Sequence, residues 1–313
     1  FSSRRRNTRW CVRSRGLGDV YKRQEQLERV LSAVEQLLPQ AVEPIDWGKT
    51  TAANWRRHSF AGYLEPIENI EKTTLTELVG IDRQKELLER NTCQFLRGFP
   101  ANNALLWGSR GTGKSSLVRA LLNKYASEGL RIIQIDKHDL DFRSDIFAQV
   151  GKQPYRYIIL CDDLSVEPDD PGYKILKSVL DGSVYASPKN VLIYVTSNRR
   201  HLLPEFHTDN LGAKMVHNEI HHGEAVEEKI SLSDRFGLWE PFYVLKQSLY
   251  HEIVEKTIAR LCAEHVIEPQ WSDELAQAAV QWSHDKSKRC GRTALQFARH
   301  WLGQHLLDQD GQT

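Results

Sequence analysis

Between residues 102 and 245 the chain alternates short apolar runs with longer segments whose apolar residues recur at helical spacing. NNALLWG, LRIIQID, YRYIILCDD, VLIYVTSN and WEPFYVL are the five strand candidates. Their almost continuous apolarity is the pattern of strands buried on both faces of a parallel sheet. GKSSLVRALLNKYASEG and PGYKILKSVLDGS read as crossover helices between them. The alternation predicts an α/β fold, a doubly wound parallel sheet of five strands with its ligand site at their carboxyl ends. Beyond Gln247 the spacing stays helical through SLYHEIVEKTIARLCAEHV, SDELAQAAVQWSHDK and GRTALQFARHWLGQHL, which predicts a small helical lid domain over 248–313. Upstream, EQLERVLSAVEQLLPQ places Leu27, Val30, Leu31, Val34, Leu37 and Leu38 at helical spacing. The polar stretch AVEPIDWGKTTAANWRRHSFAGYLEPIENIEK, punctuated by Pro and Gly, reads as an irregular connector. Residues 25–75 are thus expected to form an N-terminal helical arm and connector, and 76–247 the α/β domain.

Charge divides the chain differently. The net +1 is the sum of two unlike parts: residues 1–24 hold eight Lys and Arg against one Asp, +7, and the remainder holds 34 basic against 40 acidic side chains, −6. A basic arm suggests an anionic partner. Yet RSRGLGDVYKRQ (residues 13–24) resembles translated read-through of a sequencing adapter, and the chain opens on Phe1. Residues 1–24 are therefore expected to be artefactual and disordered, and they are set apart from the functional argument. The remainder is mildly acidic, so nucleic acid is not indicated as a partner. No run of about 18 apolar residues occurs, so no membrane span is expected. Cys11, Cys93, Cys161, Cys262 and Cys290 lie far apart, with no CxxC pair and no His–Cys cluster. That usage argues for a reducing, cytoplasmic compartment and against a disulfide framework or structural zinc.

The chemistry concentrates at three strand ends. GSRGTGKS, from Gly108 to Ser115, matches GxxxxGK[ST] between a predicted strand and a predicted helix. Gly108, Gly111 and Gly113 let the backbone curl so that the N–H groups of Ser109, Arg110, Thr112 and their neighbours through Ser116 face a phosphate. The positive end of the following helix adds to the attraction. Lys114 is placed to reach the β- and γ-phosphates of ATP, and Ser115 Oγ to ligate Mg²⁺. Asp162 and Asp163 follow YIILC. Asp162 suits a carboxylate holding Mg²⁺ through water. Asp163 stands where many ATPases carry a Glu that polarises the attacking water; one methylene shorter, it either draws the water closer or slows turnover. VLIYVTSNRR ends on Thr196, Ser197 and Asn198. Asn198 can orient the attacking water or touch the γ-phosphate, the plain alternative being an Asx-type turn residue.

Together with EEKISLSDRFG, these motifs resemble the AAA+ ATPases. The resemblance implies that Arg235 in SDRFG is an arginine finger reaching the ATP of a neighbouring subunit, where a cation stabilises charge developing on the transferring phosphoryl. It also implies that Arg292 in CGRTALQF is the lid arginine that contacts the γ-phosphate, and that Val79 and Gly80 in ELVGIDRQ pack beside adenine. More narrowly, ELVGIDRQKELL, ANNALLWGSRGTGKSSLVRALL, CDDLS, VLIYVTSNRRHL and GEAVEEKISLSDRFGLW resemble a bacterial AAA+ ATP-binding family catalogued as a domain of unknown function, over about residues 50–305. The Asp-Asp ending agrees with that family. The implied protein is a P-loop AAA+ core with a helical lid. It would hydrolyse ATP to ADP and phosphate with Mg²⁺ at the subunit interfaces of a homo-oligomer, remodelling or loading an unknown macromolecular client. The alternatives are a nucleotide-dependent binding switch with little turnover and a small-molecule phosphotransferase; neither an NKxD-type guanine motif nor an LSGGQ signature is present.

Two further features invite functional readings. HNEIHHGE gathers His217, His221 and His222 with Glu219 and Glu224 in metal-like composition, inside an insertion over 204–228 that reads as an irregular solvated loop. Trp47 and Trp55 beside Arg56 and Arg57 suggest base stacking, against the plainer reading that they pack an N-terminal arm onto the core.

Overall fold

A computed structural model describes residues 24, 26–29, 44–58, 61–165, 188–199, 214–216, 219–221, 235–268 and 271–310. The chain divides into two units, residues 1–44 with 57–63 and residues 45–56 with 64–313. In the first, residues 26–29 are helical and exposed. The second carries the core, the lid and the candidate site.

Among the described residues the main sheet has seven strands in the order β2-β1-β4-β5-β6-β3-β9. They are β1 (Ala52–His58), β2 (Ala61–Pro66), β3 (Ala104–Gly108), β4 (Leu130–Ile135), β5 (Arg156–Cys161), β6 (Val191–Ser197) and β9 (Leu238–Phe242). The ladders β1–β4, β4–β5, β5–β6, β6–β3 and β3–β9 are all parallel. All five strand candidates fall on this sheet. The reading of residues 41–72 as an irregular connector is corrected: β1 and β2 come from that stretch and extend the sheet to seven strands. β1 escapes an apolar scan because its buried positions are Ala52, Ala53 and Trp55, interrupted by Asn54 and followed by exposed Arg56. Alanine and a lone tryptophan do not make an apolar run, yet two small side chains fit between layers where larger ones would not.

Period-two alternation sends neighbouring residues to opposite faces. Leu105, Ile133, Tyr157, Ile159 and Val195 pack with Trp47, Trp55, Ile146 and Val150 on one face. Ile146 and Val150 come from α3 (Arg143–Val150). Leu106, Ile132, Ile158, Leu160 and Tyr194 pack on the other face against α1 (Asp82–Leu96) and α2 (Lys114–Tyr125), through Leu88, Phe95, Leu117 and Leu121. Trp47 and Trp55 are core residues, Trp47 meeting Tyr157 edge-on at 5.0 Å. Tyr194, fully buried, meets the Asn91 amide and the Thr92 hydroxyl at 3.0 Å each. Asn91 in turn exchanges bonds with the backbone of Asn102, just before β3. A buried and fully partnered network of this kind specifies position as well as stability. It fixes the start of the strand that carries the glycine-rich loop.

The lid is α4 (Gln247–Glu264), α5 (Asp273–Asp285) and α6 (Gly291–Asp310), joined through Tyr250, Val254, Ile258, Leu275, Phe297 and Leu302. Ser272 caps α5 by accepting from the Leu275 N–H at 3.2 Å. In the His-rich insertion, β7 (Lys214–Val216) and β8 (Glu219–His221) pair antiparallel, so an irregular loop throughout is corrected to one containing a short ribbon. The segment PGYKILKSVLDGS, most of the helix expected from Glu25 onward, and His217, His222 and Glu224 lie outside the described residues. Among the described residues no helix is long and apolar enough to cross a membrane.

Candidate functional site

β3 ends at Gly108 and α2 begins at Lys114, so the loop between them opens at the carboxyl edge of the sheet. Its glycines are set by contact. Gly108 has φ +137, and a Cβ there would stand 2.0 Å from the Phe242 carbonyl oxygen, because β9 runs directly alongside. Gly111 has φ +80, and its Cβ would stand 2.6 Å from Cys290 Sγ. The Gly111 carbonyl accepts from the Gly291 N–H at 2.9 Å, so the start of α6 is bonded to the loop. Thr112 Oγ1 donates to the Ser109 carbonyl at 2.8 Å and closes the turn. Gly113 is the N-cap of α2 and supplies no side-chain acceptor. The first N–H groups of α2 therefore face the cavity without a side-chain cap, the arrangement that seats anions.

Lys114 is only 7% exposed. Its Nζ donates to the carbonyls of Gly108 (2.6 Å) and Ser109 (2.8 Å) and reaches Asn198 Oδ1 at 3.3 Å. Burial pulls its pKa down to about 8, opposed by the Asp162 and Asp163 carboxylates and reinforced by the nearby Arg110 and Arg292.

β6 lies between β5 and β3, pairing Val195 with Cys161 and Ser197 with Trp107. That order brings the three polar strand ends together. Asp162 Oδ1 accepts from Ser115 Oγ and from Thr196 Oγ1, each at 2.5 Å. Asp163 has φ +54, a left-handed conformation that Asp tolerates better than most residues. Its N–H donates to Thr196 Oγ1 at 2.9 Å. Its carboxylate accepts from Asn198 Nδ2 on Oδ1 and from Arg110 Nη2 at 3.0 Å on Oδ2.

These groups line a cavity of about 560 Å³. Its polar lining includes Arg110 through Ser116 with Asp162, Asp163, Thr196 and Asn198; its apolar lining is Leu78, Val79, Ile81, Leu245, Ile253 and Leu295. The lid contributes Gly291, Arg292, Thr257 and Lys256. Two ion pairs stand at the wall, Arg119–Glu71 at 3.0 Å and Arg260–Glu77 at 3.7 Å. A phosphate-seating end joined to an apolar slot is the shape a nucleotide needs. For a divalent cation the fit is partial by design: Ser115 Oγ and Asp162 Oδ1 converge as hard oxygen donors. Among the described residues no group of three His, Cys, Asp or Glu side chains forms a self-sufficient metal cage. Mg²⁺ is characteristically held this way, by one or two protein oxygens with phosphate and water completing its shell.

Of the residues singled out from the sequence, Arg110 through Ser116, Asp162, Asp163, Asn198, Val79 and Arg292 all line this one cavity. Gly108 and Ser109 contribute the carbonyls that hold Lys114. Gly80 is not among the lining residues; its Cα packs toward Leu249, whose Cδ1 would stand 2.9 Å from an added Cβ. Arg235 also lies away from the cavity, half-buried, three residues before β9 begins. Because β9 runs parallel to β3 with Leu238 opposite Ala104, Arg235 sits beyond the amino edge of the sheet while the loop leaves the carboxyl edge. The four steps from Ala104 to Gly108 separate those edges by about 13 Å. Sequence reasoning missed the double hydrogen bonding of Thr196, the Arg110–Asp163 pair and the Gly111–Gly291 bond. Only Thr196 left a trace, as a hydroxyl ending an apolar strand.

A family model described as "Protein of unknown function (DUF815)" matches residues 48–305. Comparison with curated proteins gives no match. Among solved structures, the RuvB Holliday junction branch migration motor of Thermotoga maritima aligns with 72% of this chain and 63% of its own, at 14% identity and a TM-score of 0.45. The Orc1 protein of Aeropyrum pernix in complex with DNA aligns over 69% of this chain and 57% of its own, at 14% identity and a TM-score of 0.48. The chain thus spans less than two thirds of either structure.

Proposed function

The chain belongs to the family described as Protein of unknown function (DUF815), and from the site built on its core we propose that it is an AAA+ ATPase hydrolysing ATP to ADP and phosphate. The observation that carries this reading is the meeting of Lys114, Ser115, Asp162, Asp163 and Asn198 at one end of one cavity, although they come from three separate strand ends. Lys114 and the loop N–H groups bind and orient the phosphates. Ser115 and Asp162 hold Mg²⁺, which when bound neutralises phosphate charge. Asp163 and Asn198 position the attacking water, Asp163 accepting its hydrogen bond. The apolar slot at Val79 and Leu295 takes the base, and Arg292 follows the γ-phosphate from the lid.

Arg235 supports an oligomer. It lies outside the cavity of its own chain, before β9 and so beyond the opposite edge of the sheet from its own loop, which agrees with a finger that serves a neighbouring copy's nucleotide. The proposed protein is thus a cytoplasmic homo-oligomer that remodels or loads a macromolecular client, with nucleic acid not indicated by the charge of −6 outside residues 1–24. Mixing Arg235→Ala with Lys114→Ala tests this. Lys114→Ala should lose ATP binding; Arg235→Ala should bind ATP normally and turn over about 10³-fold more slowly. Activity recovered on mixing the two inactive proteins requires a site shared between subunits, and no recovery in a co-assembled mixture would sink the oligomeric reading. A second reading, a binding switch with little turnover, is favoured by one observation: both oxygens of the short Asp163 carboxylate are already engaged.

A further inference from the structure

Asp163 is asked to work on water, yet its carboxylate is held from two sides. Asn198 Nδ2 donates to Oδ1, and the same amide accepts from Lys114 Nζ at 3.3 Å through its Oδ1. Arg110 Nη2 donates to Asp163 Oδ2 at 3.0 Å. The two P-loop cations thus close a ring through Asn198 and Asp163. The left-handed backbone of Asp163 and the Thr196 hydroxyl on its N–H fix where that carboxylate can point. Asn198 and Lys114 have roles toward phosphate that account for their place. Arg110 does not: its side chain is 63% exposed, it lies in the variable part of the glycine-rich motif, and its ion pair in the described structure is with Asp163.

We propose that Arg110 is a brake on hydrolysis, a positioning residue that holds Asp163 away from the attacking water by pairing with its Oδ2. This inference rests on the ATPase reading above. A guanidinium neutralises the negative charge that would polarise water and fills a lone-pair direction the water needs. Since the pair is more than half exposed on both sides, it is worth little and is screened by salt. The brake is therefore soft: it slows turnover without abolishing it, and it opens as ionic strength rises or when another anion takes the guanidinium.

The test compares wild type, Arg110→Gln, Asp163→Asn and the double variant in steady-state ATP turnover from low to physiological ionic strength. Arg110→Gln should raise kcat roughly two- to fivefold at low salt, the range that an exposed ion pair spans, with KM within about twofold because Lys114 and the loop N–H groups still hold the phosphates. Wild-type kcat should climb with salt toward the variant, whose own kcat stays comparatively flat. The gain should vanish in the double variant, because the brake acts through Asp163. An arginine that instead served the phosphates would raise KM and leave kcat unchanged or lower, and that result would overturn the proposal. So would a gain that survives Asp163→Asn. Failure of the ATPase reading looks different: neither wild type nor Arg110→Gln would then turn over ATP, which removes brake and hydrolase together.

Discussion

If Lys114 binds the phosphates as proposed, burial of its ammonium should make nucleotide affinity a function of pH, with a sign that follows from the shift. Its pKa in the free protein is about 8, lowered by burial from 10.5. Only the ammonium form attracts phosphate, and a bound polyphosphate raises the same pKa by adding negative charge beside it. The group is therefore more basic in the complex than in the free protein, so affinity is fully present below about pH 8 and is lost as pH rises above it. At pH 9 about one free site in eleven carries the proton, so ATP should bind about tenfold more weakly than at pH 7, or about 1.4 kcal/mol. At pH 8 the loss should be about twofold. Titration calorimetry in buffers of different ionisation enthalpy measures both the affinity and the protons taken up, which should rise toward one per nucleotide by pH 9. Lys114→Arg, with a cation that does not titrate in this range, should lose the slope. The same burial predicts that the nucleotide-free protein gains stability between about pH 8 and 10.5, where the unfolded chain binds the proton that the folded chain has released. Constant wild-type affinity from pH 7 to 9 with no proton uptake would refute the assignment of Lys114 as the buried phosphate ligand.

The remaining predictions concern the carboxylates and the loop. Asp162→Asn should weaken the Mg²⁺ dependence of nucleotide binding, whereas Asp163→Asn should bind nucleotide normally and lose hydrolysis; equal turnover by Asp163→Asn and wild type would move the water-polarising role elsewhere. Gly111→Ala should cost about 1–3 kcal/mol from its positive φ alone, read as a lowered midpoint in denaturant. Because the new Cβ meets Cys290 Sγ at 2.6 Å, adding Cys290→Ala should recover part of the loss. No recovery would place the strain entirely in the loop backbone.

How much of this was readable beforehand depends on how local the signal is. The glycine-rich loop, the Asp pair and the polar end of VLIYVTSN each announce themselves within ten residues, because a loop that curls around phosphate and a carboxylate that ends a strand need fixed spacings. Parallel pairing then brought them together without further information, since all three leave the same edge. β1 and β2 were not legible: β4 pairs with β1, Ala53 and Trp55 are buried in the cluster that includes α3 and Ala52 in the one that includes α1 and α2, all distant in sequence, and nothing local marks them. Arg110 was legible as a loop residue but not as the partner of Asp163, because 53 positions separate them and their meeting depends on the φ +54 of Asp163. Gly80 has a neighbour that no local pattern announced. Its place before α1 suggested an adenine contact, and in the fold Leu249 of the lid lies beside it, 169 positions away in sequence.

The loop is the point where three parts of the protein are tied together. Its Gly111 carbonyl holds the first turn of the lid helix α6 through Gly291, its Arg110 holds Asp163, and its Lys114 holds Asn198. Each of these ties is a single contact: one a backbone bond, one a half-exposed ion pair, and one a 3.3 Å contact. On the proposed reading, a bound triphosphate would compete for the Lys114 ammonium with higher charge than its present acceptors offer. Under that reading, rearrangement of the loop would reach the lid through Gly291 and its neighbours Cys290 and Arg292, and would reach Asp163 through Lys114 and Asn198. Such coupling would need no long pathway across the core, because the lid helix and the polar ends of β5 and β6 meet at one loop of five residues between Gly108 and Lys114.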